Sequence, residues 1–171
     1  LRPFRRVYDL EIVLRPRAVI DDNVVKIRFL NSDGSISDDP REMSLNPVIE
    51  FSITQRLSSG EVLPAVNGTA LIDTGADHSA IDRAFAESAG FIPAGTTSPS
   101  GVGGTVHETN YYDLRYTVKT NGGFQSSDAR YVAIPMSENG RLYQAIFGMS
   151  FLQTGRLIMD SQAHDYFLEF N

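Results

Sequence analysis

Cysteine and tryptophan are both missing from this chain of 171 residues. Without cysteine there is no disulfide, no thiolate zinc site, no Cys nucleophile and no thiol redox chemistry. Histidine occurs only at His78, His107 and His164. These show no His-Glu-x-x-His pattern or other tight ligand spacing, so neither a metal nor an organic cofactor is expected. Positive charge is scarce too: 15 Lys and Arg stand against 21 Asp and Glu, for a net charge of -6. That balance argues against a nucleic-acid partner for the domain as a whole. No apolar run approaches the roughly 20 residues of a bilayer crossing, so no membrane segment is expected, and the N-terminus lacks a signal-peptide pattern. The first residue is Leu1 and not Met, which raises the expectation of a trimmed or processed chain. Two enzyme motifs also fail. Gly148-Met149-Ser150-Phe151-Leu152 lacks the last glycine of a Gly-x-Ser-x-Gly elbow, and Val106 stands where a Gly-x-Gly-x-x-Gly loop would need its third.

The length suits one domain that buries roughly 70% of its unfolded surface. Period-2 alternation dominates and predicts β-structure with one buried face. It runs through Leu10, Ile12 and Leu14; Val25, Ile27 and Phe29; Ile49, Phe51 and Ile53; and Tyr112, Leu114, Tyr116 and Val118. Turns are expected at 31–35, at Ser58-Ser59-Gly60 and at Asn121-Gly122-Gly123, and Asn67-Gly68 reads as a hairpin signal. Further strands are expected at 131–135 and 157–159. Two short helices are expected. Ile81, Ala84, Phe85 and Ser88 follow helical spacing up to Gly90, and a second covers about 150–154 before Gly155. The first 17 residues are basic, with Arg2, Arg5, Arg6, Arg15 and Arg17 against Asp9 and Glu11, and suit a solvated strand or an inhibitory arm.

The most informative run is Ala70-Leu71-Ile72-Asp73-Thr74-Gly75-Ala76-Asp77-His78-Ser79. An apolar stretch ends there on a carboxylate, a small hydroxyl residue and a glycine. The tripeptide occurs once; Asp33-Gly34 and Asp160-Ser161-Gln162 do not repeat it. Alone it is weak, since composition produces such a match in roughly one chain in ten of this length. Its context adds weight: the glycine cluster Gly101-Val102-Gly103-Gly104, then Ala145-Ile146-Phe147-Gly148 ahead of Gly155-Arg156-Leu157-Ile158.

This order, over roughly residues 47–160, resembles the retropepsins, the single-lobe homodimeric aspartic peptidases. The resemblance implies an all-β, acid-protease barrel with one or two short helices and one lobe per chain. Residues 1–45 would be an N-terminal extension and 46–171 the peptidase domain. It makes Asp73 the catalytic acid and base, with Thr74, Gly75 and Ala76 completing the active-site loop. Gly75 and Asp77 become contacts to the substrate backbone, and Gly101, Val102, Gly103 and Gly104 the tip of a flap. His78 is a candidate pocket residue. Two carboxylates about 3 Å apart cannot both ionise, so a pair shares one proton and divides the acid and base roles. With one motif per chain, the pair requires a homodimer acting on a protein or peptide substrate. Ile72, Ile81, Val102 and Ile146 suggest apolar residues beside the scissile bond.

The chain departs from the retroviral pattern at Met149, where an Arg that would pair with the residue at Asp77 is expected. It also carries about 45 extra residues before the core and a tail through 166–170. The alternative function is a dimerising or peptide-binding module of the same fold with little or no proteolysis.

Overall fold

The computed structural model describes residues 22–41, 45–101, 104–105 and 107–171. The basic arginines, the alternation at Leu10, Ile12 and Leu14, and Val102 and Gly103 lie outside the described residues. Strands β1 (Val24–Lys26), β2 (Arg28–Leu30) and β3 (Ile36–Ser37) precede β4 (Pro47–Thr54) and β5 (Val66–Ile72). The short β6 (Ala80–Asp82) runs directly into helix α1 (Arg83–Ser88). Next come β7 (Gly95–Thr97), β8 (Ser100–Gly101), β9 (Gly104–Thr105), β10 (Thr109–Lys119) and β11 (Phe124–Ile134). Finally β12 (Ala145–Phe147), helix α2 (Met149–Leu152), β13 (Gly155–Asp160) and β14 (Asp165–Phe170) complete the order.

The expected all-β class holds, with only two short α-helices among the described residues. Strands β4, β5, β12, β6, β11 and β10 are hydrogen-bonded in that sequence, and β10 returns to β4 to close a barrel. β2 and β3 extend the sheet beyond β4, and β7 extends it beyond β10. A separate sheet has the order β1-β14-β13.

Alternation explains the strands. On β10, Tyr112, Leu114, Tyr116 and Val118 are all buried, while the residues between them face outward. There Asp113 lies opposite Arg130 and Arg115 opposite Asp128 on β11, each arginine making two bonds to its carboxylate. Such exposed pairs contribute little stability. They do select the register, because slipping the hairpin would place like charges opposite each other. Inside the barrel Phe147 and Phe151 stack with ring centroids 4.0 Å apart, and Phe51, Tyr116 and Tyr131 surround Phe147. Burying one such side chain is worth about 1.5–3 kcal/mol. This aromatic cluster anchors the end of β12, against which the motif loop packs.

Three expectations need local correction. Asn67-Gly68 is no hairpin turn but lies within β5, paired with Ser52 and Phe51 of β4. Its glycine serves close packing: a Cβ there would sit 3.1 Å from the Phe51 ring and 3.2 Å from Gln144. Ile81 belongs to β6 and not to the helix, which starts only after Asp82 caps it by accepting a bond from the Phe85 amide. The second helix begins at Met149, one residue earlier than expected, and Gly155 opens a strand.

Candidate active site

Asp73 stands immediately beyond the end of β5, beside the end of β12. These strands are parallel and in register at Ile72 and Phe147, and the Asp73 amide continues the ladder by donating to the Phe147 carbonyl at 3.2 Å. The half-buried carboxylate is oriented by its own turn, since the Gly75 amide donates to Asp73 Oδ1 at 2.8 Å. Thr74, Gly75, Asp77 and His78 are exposed, Ala76 is half-buried, and Ser79 is buried where the chain re-enters the barrel.

Helix α2 braces this loop from below. The Met149 and Ser150 amides donate to the carbonyls of Ala76 (2.7 Å) and Asp77 (3.0 Å). The Ser150 hydroxyl accepts from the Ser79 amide at 3.2 Å, and Ser79 Oγ accepts from the Gly148 amide at 3.4 Å. Gly148 is the point of closest approach. A Cβ there would lie 2.6 Å from both the Ala76 and His78 carbonyl oxygens, a contact that real side chains do not make. The Ala76 and Asp77 carbonyls are thereby satisfied from beneath by the chain itself, while Thr74 and Gly75 stay exposed on the other side.

Tyr143, just before β12, is half-buried, and burial pushes its phenol above the ordinary range; the negative charge of Asp73 adds to this and Arg141 opposes it. That coupling puts Tyr143 within electrostatic reach of the motif carboxylate. Among the described residues no arginine forms an ion pair with Asp77, so Met149 is not compensated by another cation there. Asp82 is buried, but its oxygens accept from the Phe85, Met136 and Ser137 amides and the Ser137 hydroxyl, a structural role.

On the flank of the loop, His78 and Ser79 join Thr97, Tyr111, Arg130 and Ser150 in lining a cavity of about 550 Å³, within the usual size of ligand pockets. Asp73 is outside its lining. Of the glycine cluster, Gly101 and Gly104 pair with each other across a two-stranded ladder, in which Ser100 also pairs with Thr105. No group of three or more His, Asp or Glu suited to a metal occurs among the described residues. No helix among them is long and apolar enough to cross a membrane. Sequence reasoning missed Ser79, Ser150 and Tyr143. The serines meet across 71 positions, and no local pattern marks either of them.

Residues 60–151, more than half of the chain, match the family model described as aspartyl protease. Among solved structures, the chain is similar to EIAV protease complexed with the inhibitor HBY-793. Identity is 20%, the match covers 71% of this chain and 100% of that one, and the TM-score is 0.41. It is also similar to a retropepsin-like aspartic protease from Rickettsia conorii, at 19% identity, with 77% and 98% coverage and a TM-score of 0.43. Comparison with curated proteins returned no match. The Asp73-Thr74-Gly75 turn at the end of a barrel strand lies inside the matched segment, and the chain belongs to the aspartyl protease family.

Proposed function

We propose that this protein is an aspartic endopeptidase working as a homodimer, in which Asp73 and Asp73 of the partner subunit activate one water between them. The observation that carries this reading is the presentation of the motif. A braced loop holds one carboxylate, oriented by the Gly75 amide, with Thr74 and Gly75 exposed where a second copy can approach. A single chain supplies one such carboxylate, and dividing acid and base roles takes two.

In the reaction the ionised carboxylate takes a proton from water as its oxygen attacks the scissile carbonyl carbon. The protonated carboxyl gives its proton to the carbonyl oxygen. As the tetrahedral intermediate collapses, the ionised carboxylate takes a proton from one of its hydroxyls, the C–N bond breaks, and the carboxyl that holds the water proton gives it to the departing nitrogen. The apparent pKa values belong to the pair. Substrate lies extended and bonds through its backbone, as peptides do when added to sheet edges. Asp77 and His78 flank it, and the hairpin with Gly101 and Gly104 folds over it as a flap.

The test is mass spectrometry of a mixed peptide library incubated with wild type and with Asp73→Asn between pH 4 and 7 at several protein concentrations. We expect cleavage that rises faster than linearly with dilute enzyme and falls by roughly a thousandfold or more in the variant. No cleavage by folded, dimeric protein would shift the reading to a peptide-binding module.

A further inference from the structure

Strand β11 is paired on both sides for only part of its length. β10 runs beside it from Phe124 to Val132, but β6 meets its other edge only at Val132, Ala133 and Ile134. Among the described residues no strand covers that edge before Val132. The ladder fixes where the backbone groups point. Val132 donates its amide to Ser79 O, on the β6 side, and the N–H and C=O groups of a strand change sides with each residue. Ser126, Asp128 and Arg130 therefore turn theirs to the uncovered edge, and none of these groups has a backbone partner among the described residues. The devices that normally blunt an edge are missing: from Phe124 to Arg130 there is no proline, no lysine and no bulge in the β10 register.

This edge borders the cavity of about 550 Å³ beside the catalytic loop, with Ser127, Asp128, Ala129 and Arg130 all lining it. Successive side chains leave opposite faces of a strand, so four in a row line one cavity only where the strand presents its edge. Ser150, Phe151 and Thr154, on and just after α2, supply another wall. Both walls lead away from the loop, since β11 is tied to Ser79 through Val132 and α2 through Ser150. From Val132 to Ser127 the strand covers about 16 Å, the length of about five extended residues. The charges on this stretch are already engaged. Asp128 accepts two bonds from Arg115, while Arg130 gives two to Asp113 and lies 4.1 Å over the Tyr111 ring.

We propose that this groove is an exosite for the substrate: an extended segment of the polypeptide, remote from the scissile bond, adds to β11 as a further strand and turns small uncharged side chains such as Ser, Thr or Asn into the cavity. The mode is strand addition at a sheet edge. Ser126, Asp128 and Arg130 supply backbone bonds, and the hydroxyls of Ser127, Ser150 and Thr154, in a cavity whose Asp128 and Arg130 are already paired, favour neutral polar groups. The inference rests on the peptidase reading. Substrate is the occupant because His78 and Ser79, which also line the cavity, continue the loop that carries Asp73.

The test takes an octapeptide cleaved in the library screen and extends it at either end with randomised residues. Extension at one end should raise kcat/KM about tenfold through KM, as two or three added backbone bonds would give. Asp128→Pro removes one outward N–H at an edge position that accommodates proline. It should abolish the gain while octapeptide cleavage stays at the wild-type level. Asp128→Ala loses the same carboxylate but keeps the N–H, and should retain the gain. Hydrogen exchange gives an independent reading: the Ser126, Asp128 and Arg130 amides should exchange fast in the free protein and slow when extended peptides bind Asp73→Asn. Two results overturn the exosite and leave the peptidase intact: no gain from extension, or amides already protected in the free protein because another part of this chain fills the edge. Should wild type cleave nothing, the peptidase reading fails by itself; slowed exchange at the three amides with the randomised extensions alone then supports the groove, and unchanged exchange overturns it.

Discussion

The loop at Asp73–Ser79 and the hairpin at Ser100–Thr105 are both short and glycine-bearing, but they are held very differently. The first is tied to β12 and α2 by bonds at Asp73, Ala76, Asp77 and Ser79, with Gly148 wedged beneath it. The second has a ladder of two residue pairs. In the proposed homodimeric peptidase, a carboxylate that must meet its counterpart needs the first kind of support, while a lid that admits substrate needs the second.

The largest way to break this contrast is Gly148→Ala. The new Cβ forces the Ala76 and His78 carbonyls aside, so we expect a loss of about 1–3 kcal/mol in denaturant unfolding together with a near-complete loss of cleavage. Next, Gly101→Val with Gly104→Val should lower kcat/KM by about an order of magnitude, while the melting temperature stays near wild type. A large fall in stability from that pair would erase the distinction. Ser150→Ala removes the acceptor for the Ser79 amide and should cost about 1 kcal/mol, with a smaller loss of activity than Gly148→Ala.

The smallest effect concerns the outer face of the β10–β11 hairpin. Bonding to Arg130 and Arg115 holds the Asp113 and Asp128 carboxyls below the usual carboxylate range. A lowered folded-state value means the contribution is present above the unfolded value of about 3.9 and is lost as pH falls below it. Asp113→Asn with Asp128→Asn should therefore lower stability slightly at neutral pH, change nothing well below the carboxylate range, and so flatten the acid limb of a stability profile.

Much of the barrel was legible because its strands alternate cleanly; β4 and β10 bury the residues their period marks. Ile81 misled because β6 is three residues long and runs into α1 without a break, so a helical window spans two elements. Gly68 misled because glycine is used at turns and at close contacts alike, and only the neighbouring Phe51 and Gln144 reveal which. Asp73, Thr74 and Gly75 stood out as contiguous residues. The parts that hold them, Gly148, Ser79 and Ser150, are distant in sequence and are brought together only by the pairing of β12 with β5 and β6.

The enclosure of β14 between β1 and β13 separates two reactions that could have been one. Each chain finishes its terminal sheet alone, so folding can proceed as a first-order process before any encounter. In the proposed homodimer, catalysis by paired carboxylates is then a second-order event laid on a finished protomer. On that proposal the protein can be stored intact yet inert when dilute, and local abundance, set by clustering or synthesis, is the variable that turns proteolysis on.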